Sequence, residues 1–146
     1  MSGGTKVSIT NEAINSLNSL PDELHHKLFI NFVQPIKLGY SVSELEGKYK
    51  PSWELPLENS SVMRKALAEF ARTQDLYHYH FGYPFYKTGK DPKYFGKESD
   101  GIIHTVLKTS EKESEQIESH TIHRIDLEHP HPFTIPTQLE NDCVDL

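Results

Sequence analysis

Cysteine is almost absent from this chain. The single thiol, Cys143, cannot form an internal disulfide, so the fold must rest on its core alone, and a reducing cytoplasm is the expected setting. So near the end of the sequence, and with no activating partner beside it, Cys143 reads as an exposed, inert residue. No apolar run reaches membrane-spanning length, and the opening "MSGGTKVSIT" lacks the hydrophobic core of a signal peptide. No membrane partner is expected. There is no GxSxG, no phosphate-cradling glycine-rich loop, no HExxH and no CxxC. These absences argue against a serine hydrolase, a nucleotide triphosphatase and the common zinc sites.

Positive charge is also in deficit. Fifteen Lys and Arg against 21 Asp and Glu give a net charge of −6, which argues against a protein coated throughout for nucleic acid. The distribution is uneven, however. "YKTGKDPKYFGK" (86–97) carries four lysines, one acid and three aromatics, whereas "SEKESEQIES" (110–119) and the ending "LENDCVDL" are acidic. Ammonium groups attract phosphates and rings stack on bases, so Lys87, Lys90 and Lys93 are candidate RNA contacts.

Histidine is abundant. Of the nine, seven lie between His78 and His131. Imidazole is the side chain most easily tuned for proton transfer near neutrality. "LYHYHFG" (76–82) alternates as a strand does, with Leu76, His78 and His80 on one face and Tyr77, Tyr79 and Phe81 on the other. "GIIHTVLKT" (101–109) adds His104, and "SHTIHRIDLE" (119–128) adds His120, His123 and Arg124. The proline-rich exit adds His129 and His131. If the three strands are neighbours, several imidazoles converge on one sheet face. His-x-His on a strand is also a usable start for a metal site, although there is no clear carboxylate partner for His78.

The remaining elements read plainly. "KVSIT" is a short strand, with Thr10 or Asn11 capping a helix that follows. Pro21, Asp22 and Glu23 open a second helix, and Leu24, Leu28 and Phe32 form its buried stripe, flanked by His25 and His26. Gly39 stops it. A loop with a turn near 42–45 follows, anchored by Trp53. Ser60 or Ser61 caps a helix whose apolar face is Val62, Ala66, Leu67 and Phe70. The acidic 110–119 stretch reads as a loop or one helical turn between the second and third late strands. The order of elements predicts an α+β fold: a small antiparallel sheet with N-terminal helices packed on one face. Residues 1–136 form one domain and 137–146 an acidic tail.

The segment "EFARTQDLYHYHFG" (69–82) resembles the Phe-x-Arg-Thr-x-Asp…His strand entry of YafO-type toxins, ribosome-dependent mRNA interferases of the RelE/ParE superfamily. "PSWELPL" (51–57) and "IDLEHPHPF" (125–133) are similar to the family's Trp-plus-proline segment and its late His/Pro cluster. The resemblance implies a RelE-like fold whose open, concave face holds mRNA on the ribosome. It implies a metal-free, cofactor-free endoribonuclease, countered by a protein antitoxin. Carried over residue by residue, Arg72 and Asp75 fix the turn into the strand, with Arg72 near phosphate. His78 is the strand histidine, and His129 or His131 with Phe133 is the terminal histidine–aromatic pair. His80, His104 and Arg124 join the candidates from face alternation alone. Two other readings stand beside this one: a small metal-dependent enzyme using the histidine cluster, and a non-enzymatic interaction module.

Overall fold

A computed structural model describes residues 5–54, 61–127, 135–136 and 138–146. The chain opens with strand β1 (Thr5–Thr10), which buries Val7 and Ile9. Thr10 ends it in an extended conformation, and its hydroxyl accepts the Ala13 N–H at 3.1 Å, starting helix α1 (Asn11–Asn18). Pro21 precedes α2 (Asp22–Leu28), which runs through a π-helical turn (Phe29–Val33) into α3 (Gln34–Lys37). Leu24, Leu28 and Phe32 are all buried, as their spacing requires. Gly39 ends the run at a φ of +96°, a conformation that glycine adopts without steric penalty.

Ser41 and Glu44 form a reciprocal capping box around a short 3₁₀ turn (Val42–Glu44). Strand β2 (Tyr49–Pro51) follows, in a region that reads as loop in the sequence. A proline in a strand belongs at a sheet edge, and β2 is an edge. Helix α4 (Val62–Thr73), capped by Ser61, leads into β3 (Leu76–His80), then β4 (Ile102–Lys112), β5 (Glu115–Asp126) and β6 (Cys143–Asp145).

The fold is α+β, built on a six-stranded, mostly antiparallel sheet in the order β2-β3-β4-β5-β1-β6. Only β1 and β5 run parallel. Part of the acidic tail is integrated: β6 pairs with β1, and the Leu146 N–H reaches the Val7 carbonyl at 2.8 Å. No helix among the described residues is long and apolar enough to cross a membrane.

Two cores result. The larger joins Leu24, Leu28 and Phe32 to Tyr49, Tyr79, Phe81, Ile103 and Ile122. Phe32 meets the Tyr79 ring at 5.3 Å between centroids. The smaller joins Ala71 of α4 to Leu76, Ile102, Val106 and Ile135, with Trp53, Leu67 and Phe70 at its margin. Tyr79 and Phe81 therefore pack in one core and Leu76 in the other, as strand alternation demands.

Three expectations are corrected. The face carrying Leu76, His78 and His80 is not an open concavity, because α4 docks on it through Leu67 and Ala71. That docking also shifts the stripe of α4: Leu67 and Phe70 pack at the margin of the core as expected, but the buried positions are Ala68 and Ala71, while Val62 and Ala66 are exposed. Both stripes suit a 3.6-residue period, and the small alanines let the helix approach the sheet closely. Finally, the acidic 110–119 stretch is neither loop nor helix. β4 and β5 extend through it to a two-residue turn at Glu113 and Ser114, both at positive φ (53° and 67°).

That turn generates a stability prediction. Two consecutive left-handed residues are the pattern that Asn-Gly fits best, and each L side chain there is strained. Replacing Glu113→Asn and Ser114→Gly together should raise stability by about 1 kcal/mol, read as an upward shift in the urea midpoint. An unchanged midpoint would mean that the hairpin tip carries no strain.

A candidate site where strand β5 is bulged

The register of the sheet sets the site. His78 lies opposite His104 and His80 opposite Ile102, so both histidines share a face with Leu76 and Val106. Between β4 and β5 the register slips. His104 pairs with Arg124, but Thr105 pairs with Ile122, leaving His123 as an extra residue. A β-bulge of this kind reverses the facing of everything beyond it. Without it, Arg124 and Asp126 would point into the larger core. With it, they fall beside His104.

A bonded chain follows. His104 Nε2 donates to Asp126 Oδ2 at 2.7 Å, and Arg124 Nε donates to Asp126 Oδ1 at 3.1 Å. Burial pushes the Asp126 carboxyl up, but the His104 hydrogen bond and charge, with Arg124, outweigh it and hold the group below its ordinary value. Asp126 is therefore an ionised anchor. It fixes one edge of the Arg124 guanidinium, whose side chain is 43% exposed.

Beyond Ile122, β5 loses its β1 neighbour, because β1 turns at Thr10 into α1. A cleft of about 400 Å³ opens there, lined by Glu12, Ser16, His123, Arg124, Asp126 and Gln138. The first amides of α1 are already engaged. Ala13 N–H is held by Thr10, Glu12 N–H by the Glu140 carboxylate at 2.9 Å, and Asn11 N–H by the Asp142 carbonyl. The cation of the cleft is thus Arg124 rather than a helix end. His123 is half-buried, and its Nδ1 is closed to solvent and has no hydrogen-bond partner among the described residues. Burial lowers its pKa, with the Glu140 charge opposing. At neutral pH it is an uncharged imidazole able to take a proton.

The other candidates fare differently. His78, His80 and His104 form a buried row at 3%, 0% and 0% exposure. His78 Nδ1 bonds Ser52 Oγ at 3.0 Å, His80 Nδ1 lies 2.8 Å from the Ser99 carbonyl, and the two rings meet edge-on at 5.9 Å. They share a face, as alternation predicts, but direct contact with a substrate is closed to them here. Arg72 is exposed and spends its guanidinium on a two-bond pair with Glu69, one turn back. Asp75, at a φ of +55°, holds the turn into β3, and its carbonyl accepts Leu107 N–H. His129, His131 and Phe133 lie outside the described residues.

The lysine loop is not a free basic patch. Lys87 pairs with Asp100, Lys93 with Glu54 and Lys97 with Glu46, while Asp91 takes Lys48 and Lys50. Lys90 is exposed, and its own N–H is held by Glu98. Carboxylates distant in sequence neutralise the run, a fact that local composition cannot reveal. His120, also in the late cluster, is a core residue: Nε2 bonds Glu118, Nδ1 bonds Tyr49, and the ring packs edge-on against Phe32.

Face alternation passes over His123, Asp126 and Glu140. One signal was available. Ile122 and Ile125 both belong with the larger core, yet they stand three apart, which a regular strand forbids. Odd spacing of core residues marks a bulge.

No group of three or more His, Cys, Asp or Glu among the described residues is arranged to hold a metal ion. No protein-family model, curated protein or solved structure matches the chain.

The Asp126 anchor has a pH signature. A carboxyl held below its unfolded value adds stability that is complete above the unfolded pKa and lost as pH falls through the folded one. Asp126→Asn should therefore destabilise the protein near pH 7, and the gap from wild type should close toward about pH 3. Urea titrations at both pH values test this. A gap of constant size would remove the ionised anchor from the account.

Proposed function

We propose that this protein is the toxin of a toxin–antitoxin pair: a RelE-like, ribosome-dependent mRNA endoribonuclease that acts in the cytoplasm without a metal and is neutralised by a protein antitoxin. The resemblance of residues 69–82 supplies the family. The observation that carries the chemistry is the β5 bulge, which sets a neutral imidazole, His123, next to an anchored guanidinium, Arg124, on an accessible cleft.

Cleavage by ribose attack needs a base for the 2′-OH, fixed positive charge for the phosphate and an acid for the leaving 5′-oxygen. His123 suits the first task, since burial keeps it unprotonated. Arg124 suits the second. Its Nε is tied to Asp126, while the exposed outer edge of the fork is the part that grips oxyanions. His104 acts through Asp126 and is a positioning residue. The third task falls, by the resemblance, to His129 or His131, with Phe133 stacking on a base. Helices α1–α3 then back the sheet as in RelE-like toxins, and the buried His78 and His80 serve the fold.

The test is inducible expression in a bacterium, followed by single-turnover cleavage on translating ribosomes. Wild type should arrest growth, cut translated mRNAs and keep its activity in EDTA. His123→Ala and Arg124→Ala should each slow cleavage by about a hundredfold or more while staying soluble and folded. His104→Gln should slow it less and shift the pH profile. Two fully toxic variants at positions 123 and 124 would refute this assignment. Because Lys87 and Lys93 are already paired, replacing them with Gln should change the salt dependence of binding only slightly. A large loss of salt slope would return the loop to the RNA contact surface.

A further inference from the structure

We propose that the apolar pocket between α1 and the α2–α3 helix binds a medium-chain aliphatic carboxylate. It is a half-open groove of about 490 Å³, walled by Ile9, Ile14, Leu17, Leu28, Phe29, Val33 and Leu146. That volume lies within the range of small-molecule sites and suits a ligand of roughly a dozen heavy atoms. The polar cleft takes Ala13 and Ser16 from α1, while this pocket takes Ile14 and Leu17 from the adjoining face. The two sites are separate, and neither reading depends on the other.

Three observations converge. First, Phe29 and Val33 are the two ends of the π-helical turn, and both line the pocket. A π-turn is a departure from the favoured helix and is frequent at functional sites. Here Phe29 remains 49% exposed at the opening while Phe32, within the same turn, is fully buried. Second, the walls give a ligand apolar surface and few hydrogen-bond partners. His25 Nε2 already donates to the Leu17 carbonyl at 2.5 Å, which fixes the ring against α1. Third, Lys37 stands in the lining with an exposed side chain and forms no ion pair with any described residue. Six other lysines, at positions 27, 48, 50, 87, 93 and 97, pair with carboxylates. Lys6, Lys65, Lys90 and Lys108 also lack an ion pair among the described residues, so Lys37 is set apart by its place in the lining, where an ammonium beside apolar walls suits an acyl tail with an anionic head.

The probe is decanoate, titrated into the intact protein by calorimetry below its micellar concentration, with decanol as the uncharged control. Decanoate should bind saturably at one per chain, about fivefold tighter than decanol. Lys37→Glu lies on the surface and should erase or reverse that preference while decanol still binds. Ile14→Trp should fill the pocket and abolish both, with thermal unfolding used to check that the fold survives. Absence of saturation with either probe would overturn the proposal and return the groove to a protein partner. An unchanged decanoate-to-decanol ratio in Lys37→Glu would overturn the assignment of the head group.

Discussion

One inserted residue decides which side chains this sheet brings together. β5 must serve the aromatic core along its first half and still deliver Arg124 and Asp126 to the opposite face. A regular strand cannot do both, since its side chains alternate without exception. The bulge at His123 resolves the conflict. Upstream, His120 and Ile122 pack with Phe32 and Tyr49; downstream, Ile125 returns to the same core while Asp126 meets His104. The loss of ladder pairing at one residue is offset by a part-buried, charge-assisted bond of the strong class.

Behind the bulge stands an unusual interior. Four imidazoles are buried, and each is tied to a polar neighbour: His78 to Ser52, His80 to Ser99, His104 to Asp126, His120 to Glu118 and Tyr49. A satisfied polar pair adds only about 1 kcal/mol, but orphaning either member costs more. Such pairs define register more than they deepen stability. Tyr49 illustrates this, since its hydroxyl joins Thr105 of β4 to His120 of β5 and burial pushes its pKa far up, so it remains a neutral phenol. The sheet is thereby pinned at three strands by one side chain.

Much of this fold can be read in the residues themselves. The Thr10 cap, the Leu24–Leu28–Phe32 stripe, the Gly39 stop and the alternation of β3 are local patterns with local causes. What escapes is what depends on distant partners. Which stripe of α4 docks is decided by the sheet, not by the helix. Whether Lys87 and Lys93 are free is decided by Asp100 and Glu54, which arrive from elsewhere. At the candidate site, the placing of Arg124 on one face with His104 was legible. The facing of His123 was not, because period-two reasoning assumes the regularity that the bulge breaks.

The place of β1 has a consequence in time. It is made before β5 and β6, yet it lies between them, with Thr5 opposite Glu118 and Ile9 opposite both Ile122 and Val144. Its hydrogen-bonding edges therefore stay unmatched until β5 and β6 have left the ribosome. Long-range parallel pairing of this kind is slow to close and exposes sticky edges meanwhile. The cleft has its wall where β1 departs from β5, so it can exist only after that closure. Closure of β1 on β5 is therefore also the step that completes the cleft.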